Sequence, residues 1–190
     1  KILPDFLKTY PEIKVQLLVS NRRVDIINEG IDIALRVRAN LDDDPSLVLR
    51  KFENIEQHLF ASQAYLNEYG MLKQPEDLTE HRILSMVDDH LDQHLILHDD
   101  QNFQKKIKIN PVVMGSDLIM LGKMASQNCG IALLPDTIAY DYIKSGQLVR
   151  VLPEWKAPHG IFHAVYASRR GLLPAVRVFI DYLVEHLTKR

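Results

Sequence analysis

The segment from Gly115 to Leu152, GSDLIMLGKMASQNCGIALLPDTIAYDYIKSGQLVRVL, sets the tightest limit on how this chain can fold. Two helical periodicities flank a short apolar run, an order that predicts an α/β crossover unit. Ser116 reads as an N-cap, with Asp117 in the first turn, where the helix dipole favours a carboxylate. Leu118, Leu121, Gly122, Ala125 and Cys129 recur at helical spacing and predict one apolar face. Asn128 and Gly130 stop that helix, and Ile131–Leu134 predicts a short buried strand. Pro135 suits the first turn of a second helix and Gly146 its C-cap, with an exit strand after it. The helix start at Gly115, Ser116 and Asp117 is a ready anion or ligand site.

A chain of 190 residues with 46% hydrophobic content can bury a core of this kind, as one domain or two small lobes. The formal net charge of −2 argues against nucleic-acid binding by this segment alone, because a DNA-binding surface must neutralise phosphates. A single cysteine excludes an internal disulfide and a multi-cysteine metal site, and Cys129 reads as a small buried hydrophobe. No apolar run approaches the roughly 20 residues needed to span a bilayer, and no signal peptide is recognised, so a cytoplasmic protein without a membrane is expected.

Along the chain, Ile2, Phe6 and Tyr10 with Leu3 and Leu7 predict a short helix ended by Pro11. Ile13–Val19 alternates as a half-buried strand, Val24–Glu29 reads as a short helix capped by Gly30, and Ile31–Val37 reads as a central parallel strand. Together they predict a βαβ unit. Residues 39–46 form an acidic surface loop. Leu47–Ser62 predicts a long strand or strand pair, Gln63–Tyr69 a helix ending at Gly70, and Pro75–Leu78 a further turn. Ile83–Met86 is a short apolar strand, Ile161–Ala167 another, and Pro174 opens a last amphipathic helix.

His90, His94 and His98 fall at i, i+4, i+8 among aspartates, which on a helix would make a metal-binding face. A hairpin fits better: Leu95-Ile96-Leu97 as a strand, Asp99–Asn102 as its turn and Phe103–Ile109 as the return arm. No metal or other cofactor is expected, and His163 reads as a satisfied core histidine. The chain carries none of the nucleophile-elbow, dinucleotide, P-loop, zincin or C-x-x-C signatures, which favours a binding module over an enzyme.

Three stretches fit one family in the right order. Residues 10–37, YPEIKVQLLVSNRRVDIINEGIDIALRV, resemble the start of the effector-binding domain of LysR-type transcriptional regulators. Residues 128–155, NCGIALLPDTIAYDYIKSGQLVRVLPEW, and 163–187, HAVYASRRGLLPAVRVFIDYLVEHL, are similar to its second half and its C-terminal strand and helix. The resemblance implies a periplasmic-binding-protein-like fold of two α/β lobes joined by two hinge crossings. Lobe I would comprise residues 1–83 and 162–190, and lobe II residues 84–161. It also implies an N-terminal DNA-binding domain and a first strand that lie outside this chain, so that DNA is reached only through the longer protein.

Ligands of doubly wound sheets bind beyond the carboxyl ends of the strands. That rule selects Ser20, Asn21, Arg36 and Val37 on lobe I, and Ser85, Met86, Gly115, Ser116, Asp117 and Pro135 on lobe II. The family often places an effector-contacting Ser or Thr where Ser20 stands. Backbone amides at residues 116–118 and a nearby arginine would suit a small carboxylate effector. Each residue has a plainer role open to it: Ser116 as cap, Ser20 closing a turn, Arg36 paired with Asp32 or Glu29. Met120 and Met124 should point outward and suggest an interface. By resemblance, that helix would pack head-to-tail in a homodimer against Ile2, Phe6, Lys14 and Gln16 of a partner, with higher oligomers in the full-length protein. The reading is an effector-sensing domain controlling transcription; a transporter's solute-binding protein on the same fold is the alternative.

Overall fold

The structure is a computed structural model describing residues 2–20, 22, 24–41, 44–86, 93–167 and 173–187. It divides into two compact units, residues 1–54 with 160–190 and residues 55–159, so the chain passes between them twice.

Unit 1 is built on a three-stranded sheet. Strand β1 (Ala34–Arg38) pairs antiparallel with β10 (Gly160–Ala167), and β2 (Leu47–Ile55) lies on the other side of β10. Helices α1 (Ile2–Thr9) and α5 (Pro174–Leu187) pack together through aromatic rings. Phe6 is fully buried, 4.7 Å from Phe179 and 5.2 Å from Tyr182 between ring centroids. Edge-on arrangements of this kind add to the burial of the rings themselves. His163 is buried in β10, and its Nδ1 lies 2.8 Å from the Ile161 carbonyl, the satisfied core histidine expected.

Three expectations for unit 1 fail. Residues 13–19 form no strand, and Leu17, Leu18 and Val19 are exposed, Val19 by 95%. Alternation gives a strand its faces, but only a hydrogen-bonded neighbour makes it a strand, and none of the described strands pairs with this segment. Residues 26–30 make turns ending at Gly30 (φ 66°) rather than a helix. β1 is an edge strand in an antiparallel pair, with Leu35 and Val37 exposed, so the predicted parallel βαβ unit is absent from these residues.

Unit 2 carries a five-stranded sheet in the order β7-β4-β8-β3-β9: Pro111–Gly115, Ile83–Met86, Ile131–Pro135, Gln57–Ala61 and Val149–Val151. β7, β4 and β8 are parallel, while β3 runs antiparallel between β8 and β9. Strand β3 and helix α2 (Gln63–Tyr69) therefore belong with this sheet, and the first chain crossing falls at residues 54–55, not at 83–84.

Neighbouring residues on each strand enter opposite cores. Leu59, Ile83 and Ile131 pack with α2 and the hairpin of β5 (His94–His98) and β6 (Gln104–Lys108). Phe60, Leu84 and Ala132 pack under α3 (Leu118–Ser126) and α4 (Asp136–Lys144). Side chains that alternate across a pleat and are apolar on both faces are what a sheet covered on both sides requires. Gly130 is needed where β8 meets β4, because a Cβ there would collide with the Arg82 carbonyl.

The α3 helix starts one residue later than expected. Asp117, not Ser116, is its N-cap, and its carboxylate accepts the amides of Ile119 at 2.8 Å and Met120 at 3.3 Å. Pro135 ends β8 and caps α4 instead of entering its first turn. Leu121, Gly122 and Ala125 are buried as predicted, whereas Cys129 lies beyond the helix and is only half-buried.

Candidate functional site

In unit 2, three parallel strands end on one edge of the sheet, and sequence-distant residues meet there. The β4–β7 register sets Ser85 beside Met114 and Met86 beside Gly115. Ser116 and Asp117 follow β7 directly and lead into α3, and Pro135 closes the adjoining β8. Ser85 Oγ donates to the Met86 carbonyl at 3.2 Å, Met86 is exposed and Pro135 is buried. Ser85, Met86, Gly115, Ser116, Asp117 and Pro135 thus share the carboxyl edge of a parallel sheet, the edge where doubly wound folds bind ligands.

The electrostatics of that edge differ from the expectation. Asp117 has already filled the anion position at the start of α3 with its own carboxylate. A second carboxylate would meet negative charge there, so a small carboxylate is a poor match to this end.

In unit 1, Ser20 and Arg36 line a cavity of about 750 Å³ with Ile13, Gln16, Ile33 and Val176. Val37 is exposed on β1 and outside that lining, and Asn21 lies outside the described residues. Ser20 Oγ accepts the Arg22 amide at 3.3 Å, closing a local turn. Arg36 donates through Nη2 to the Val24 carbonyl at 2.7 Å, tying β1 to the preceding turn. Glu29 is gripped by Arg22, one oxygen at 2.7 Å from Nη1 and the other on Nη2. That grip holds the Glu29 carboxyl below, and the Arg22 guanidinium above, its usual range.

Of the interface residues, Met120 is 57% exposed and its neighbour Ile119 67%. Met124 is not outward-facing; it packs against the Leu121–Leu134 core. Phe6 is likewise buried within unit 1 and cannot face a partner, while Lys14 and Gln16 are exposed and Ile2 is half-buried. Sequence reasoning missed β7, an edge strand whose Val113 packs on the core under α3 while Val112 and Met114 are exposed on the other face. Its short apolar run, Val112 to Met114, bounded by Pro111 and Gly115, was a usable signal.

The histidine-rich stretch forms the predicted hairpin. His94 and His98 sit across from Lys108 and Gln104, and His90 lies outside the described residues. No helix among the described residues is long and apolar enough to cross a membrane.

These features define a two-unit α/β ligand-binding domain, and its kinship is specific. The chain belongs to the LysR substrate binding domain family, whose model matches residues 1–188. It is 32% identical over 189 residues to an HTH-type transcriptional regulator of Xanthomonas campestris pv. campestris, covering 98% of this chain and 54% of the relative. The HTH-type transcriptional regulator CrgA of Neisseria meningitidis serogroup C is also 32% identical, over 96% of this chain and 60% of the relative. The chain thus spans little more than half the length of these relatives. Among solved structures, the regulatory domain of CrgA from Neisseria meningitidis superposes with a TM-score of 0.81 at 30% identity, over 98% of this chain and 90% of that one. The regulatory domain of AphB in Vibrio vulnificus gives 0.82 at 29%, over 97% and 90%. The fold is therefore periplasmic-binding-protein-like, and the kinship lies with transcriptional regulators rather than transporter proteins.

Proposed function

We propose that this chain senses a small molecule for a cytoplasmic transcriptional regulator and transmits binding to the regulator's assembly. One observation carries the reading: α3 has its capped end on the sheet edge with Ser85 and Gly115, while its Ile119 and Met120 face solvent. A single rigid helix then touches both the ligand and the partner. Ser85, Met86, Gly115, Ser116, Asp117 and Pro135 in unit 2, and Ser20, Asn21, Arg36 and Val37 in unit 1, are the proposed effector contacts. Because Asp117 supplies negative charge at α3, the effector group that meets this end is a hydrogen-bond donor or a cation.

The partner is a second copy of the chain, joined through α3 and the open edge of β7 in a two-fold dimer. An open strand edge and an exposed apolar helix face are each surfaces that proteins cover. The partner's contribution includes Ile2, Lys14 and Gln16. DNA contact belongs to the remainder of a longer protein, and the domain performs no catalysis. Effector binding acts by population shift, and only to the extent that affinity differs between the two states.

A promoter reporter in cells carrying the full-length gene tests this. Expression should respond to one metabolite, and Ser85→Phe, which fills the strand edge, should abolish the response. A response that survives the substitution contradicts the proposed contacts.

A further inference from the structure

A second cluster of polar groups lies in unit 2, apart from the strand edge. Glu56 and His58 stand at i and i+2 on and just before β3, so they share a side of the strand. The antiparallel register sets Gln57 opposite Pro135, and the Asp136 amide donates to the Glu56 carbonyl at 3.3 Å. That register brings the first residue of α4 onto the same ladder. As a result, one nitrogen of His58, one carboxylate oxygen of Glu56 and one of Asp136 all lie within 4.8 Å of one another.

We propose that Glu56, His58 and Asp136 form a site for a divalent transition ion of the zinc type. The donor set of one imidazole and two carboxylates suits a borderline-soft ion with oxygen and nitrogen ligands. His58 is the floor of the site, its side chain only 5% exposed, whereas those of Asp136 and Glu56 are 39% and 53% exposed. An ion can therefore enter from solvent and meet a fixed imidazole without disturbing the core. His58 Nδ1 already lies 2.9 Å from Asp136 Oδ1, close to the spacing of adjacent ligands around one small ion.

Two cations sit at the rim. Arg150 Nη2 contacts both Asp136 oxygens at 3.0 Å, and Lys156 Nζ lies 3.4 Å from Glu56 Oε1. Both are solvent-screened pairs of the kind that add little to stability. Arg150 also stacks 5.8 Å from the Phe60 ring and keeps that packing when its carboxylate is shared. The ion would replace weak pairings and bind the start of α4 to β3, immediately after the crossing at residues 54–55.

Titration of the metal-free chain with zinc chloride, followed calorimetrically at neutral pH, tests the site. One ion per chain at micromolar affinity is expected, weakened at least tenfold in Glu56→Gln and in Asp136→Asn. Both residues are half-exposed, so these variants keep the fold, which circular dichroism confirms. His186→Gln, on α5 of unit 1, should leave the affinity unchanged. Absence of binding at millimolar zinc, or affinity that survives Glu56→Gln and Asp136→Asn, overturns the proposal, as does loss confined to the His186 variant.

Discussion

The Asp117 carboxylate accepts the backbone amide of Ile119 at 2.8 Å, and this bond ties the end of β7, on the candidate ligand edge of unit 2, to the start of helix α3. Asp117→Ala should lower stability by about 1 kcal/mol, the usual worth of a side-chain cap, while Asp117→Asn should be near neutral. Urea midpoints at constant slope measure both. Equal losses in the two variants would show that charge, not capping, is what matters there.

Leu121 is buried between α3 and the sheet, in the core shared with Phe60 and Leu134. Leu121→Ala should cost ~2–5 kcal/mol, because a cavity there is walled by a sheet that cannot collapse into it. Lys123→Ala, on the exposed side of the same helix, should stay within about 0.5 kcal/mol. Thermal unfolding of the pair distinguishes packing from helix propensity.

Burial beside Tyr65 holds the His81 imidazole below the usual histidine range, an effect opposed by Asp77 and Glu80. As pH falls, the unfolded chain takes up this proton first, at about 6.5. Stability is therefore complete above that pH and declines as pH drops toward the folded value. The slope of melting temperature between pH 7 and 5.5 should flatten in His81→Gln. An unchanged slope would assign it to other groups.

Ile119 and Met120 are exposed on α3, and β7 is an edge strand whose Val112 and Met114 are exposed on the sheet face opposite the one Val113 turns to the α3 core. Met120→Glu should convert the proposed dimer to a monomer at micromolar concentration, read by light scattering, with unfolding midpoints little altered. Met124→Glu should instead lower stability, since Met124 packs on the core. A dimer that persists in Met120→Glu moves the interface elsewhere.

Local signals carried much of the fold. The helix at Gln63–Tyr69 was legible because Gly70 stops it at a φ of 100°. The hairpin at His94–Lys108 was legible because its turn and its alternation agree. Segment 13–19 misled because its alternation is as good as a strand's, and periodicity cannot report whether a neighbour is present to pair with it. The α3 cap was displaced by one residue because Ser116 and Asp117 are both good caps, and the end of β7 decides between them. The candidate ligand edge followed from the ends of β4 and β8 and from the helix start after Gly115, which sequence reveals, although β7 itself was missed. The Glu56, His58 and Asp136 group did not, because it depends on the register between β3 and a strand more than 70 residues away.

The central claim is that the carboxyl edge of β4 and β7 binds the effector. Thermal-shift screening of the chain against small metabolites, repeated on Ser85→Ala and Ser116→Ala, tests it most directly. A true effector at 100 times its Kd should stabilise the chain by about 2.7 kcal/mol. We predict a stabilising metabolite whose effect is lost or sharply reduced in both variants. A metabolite that stabilises the parent chain and both variants equally would contradict the account.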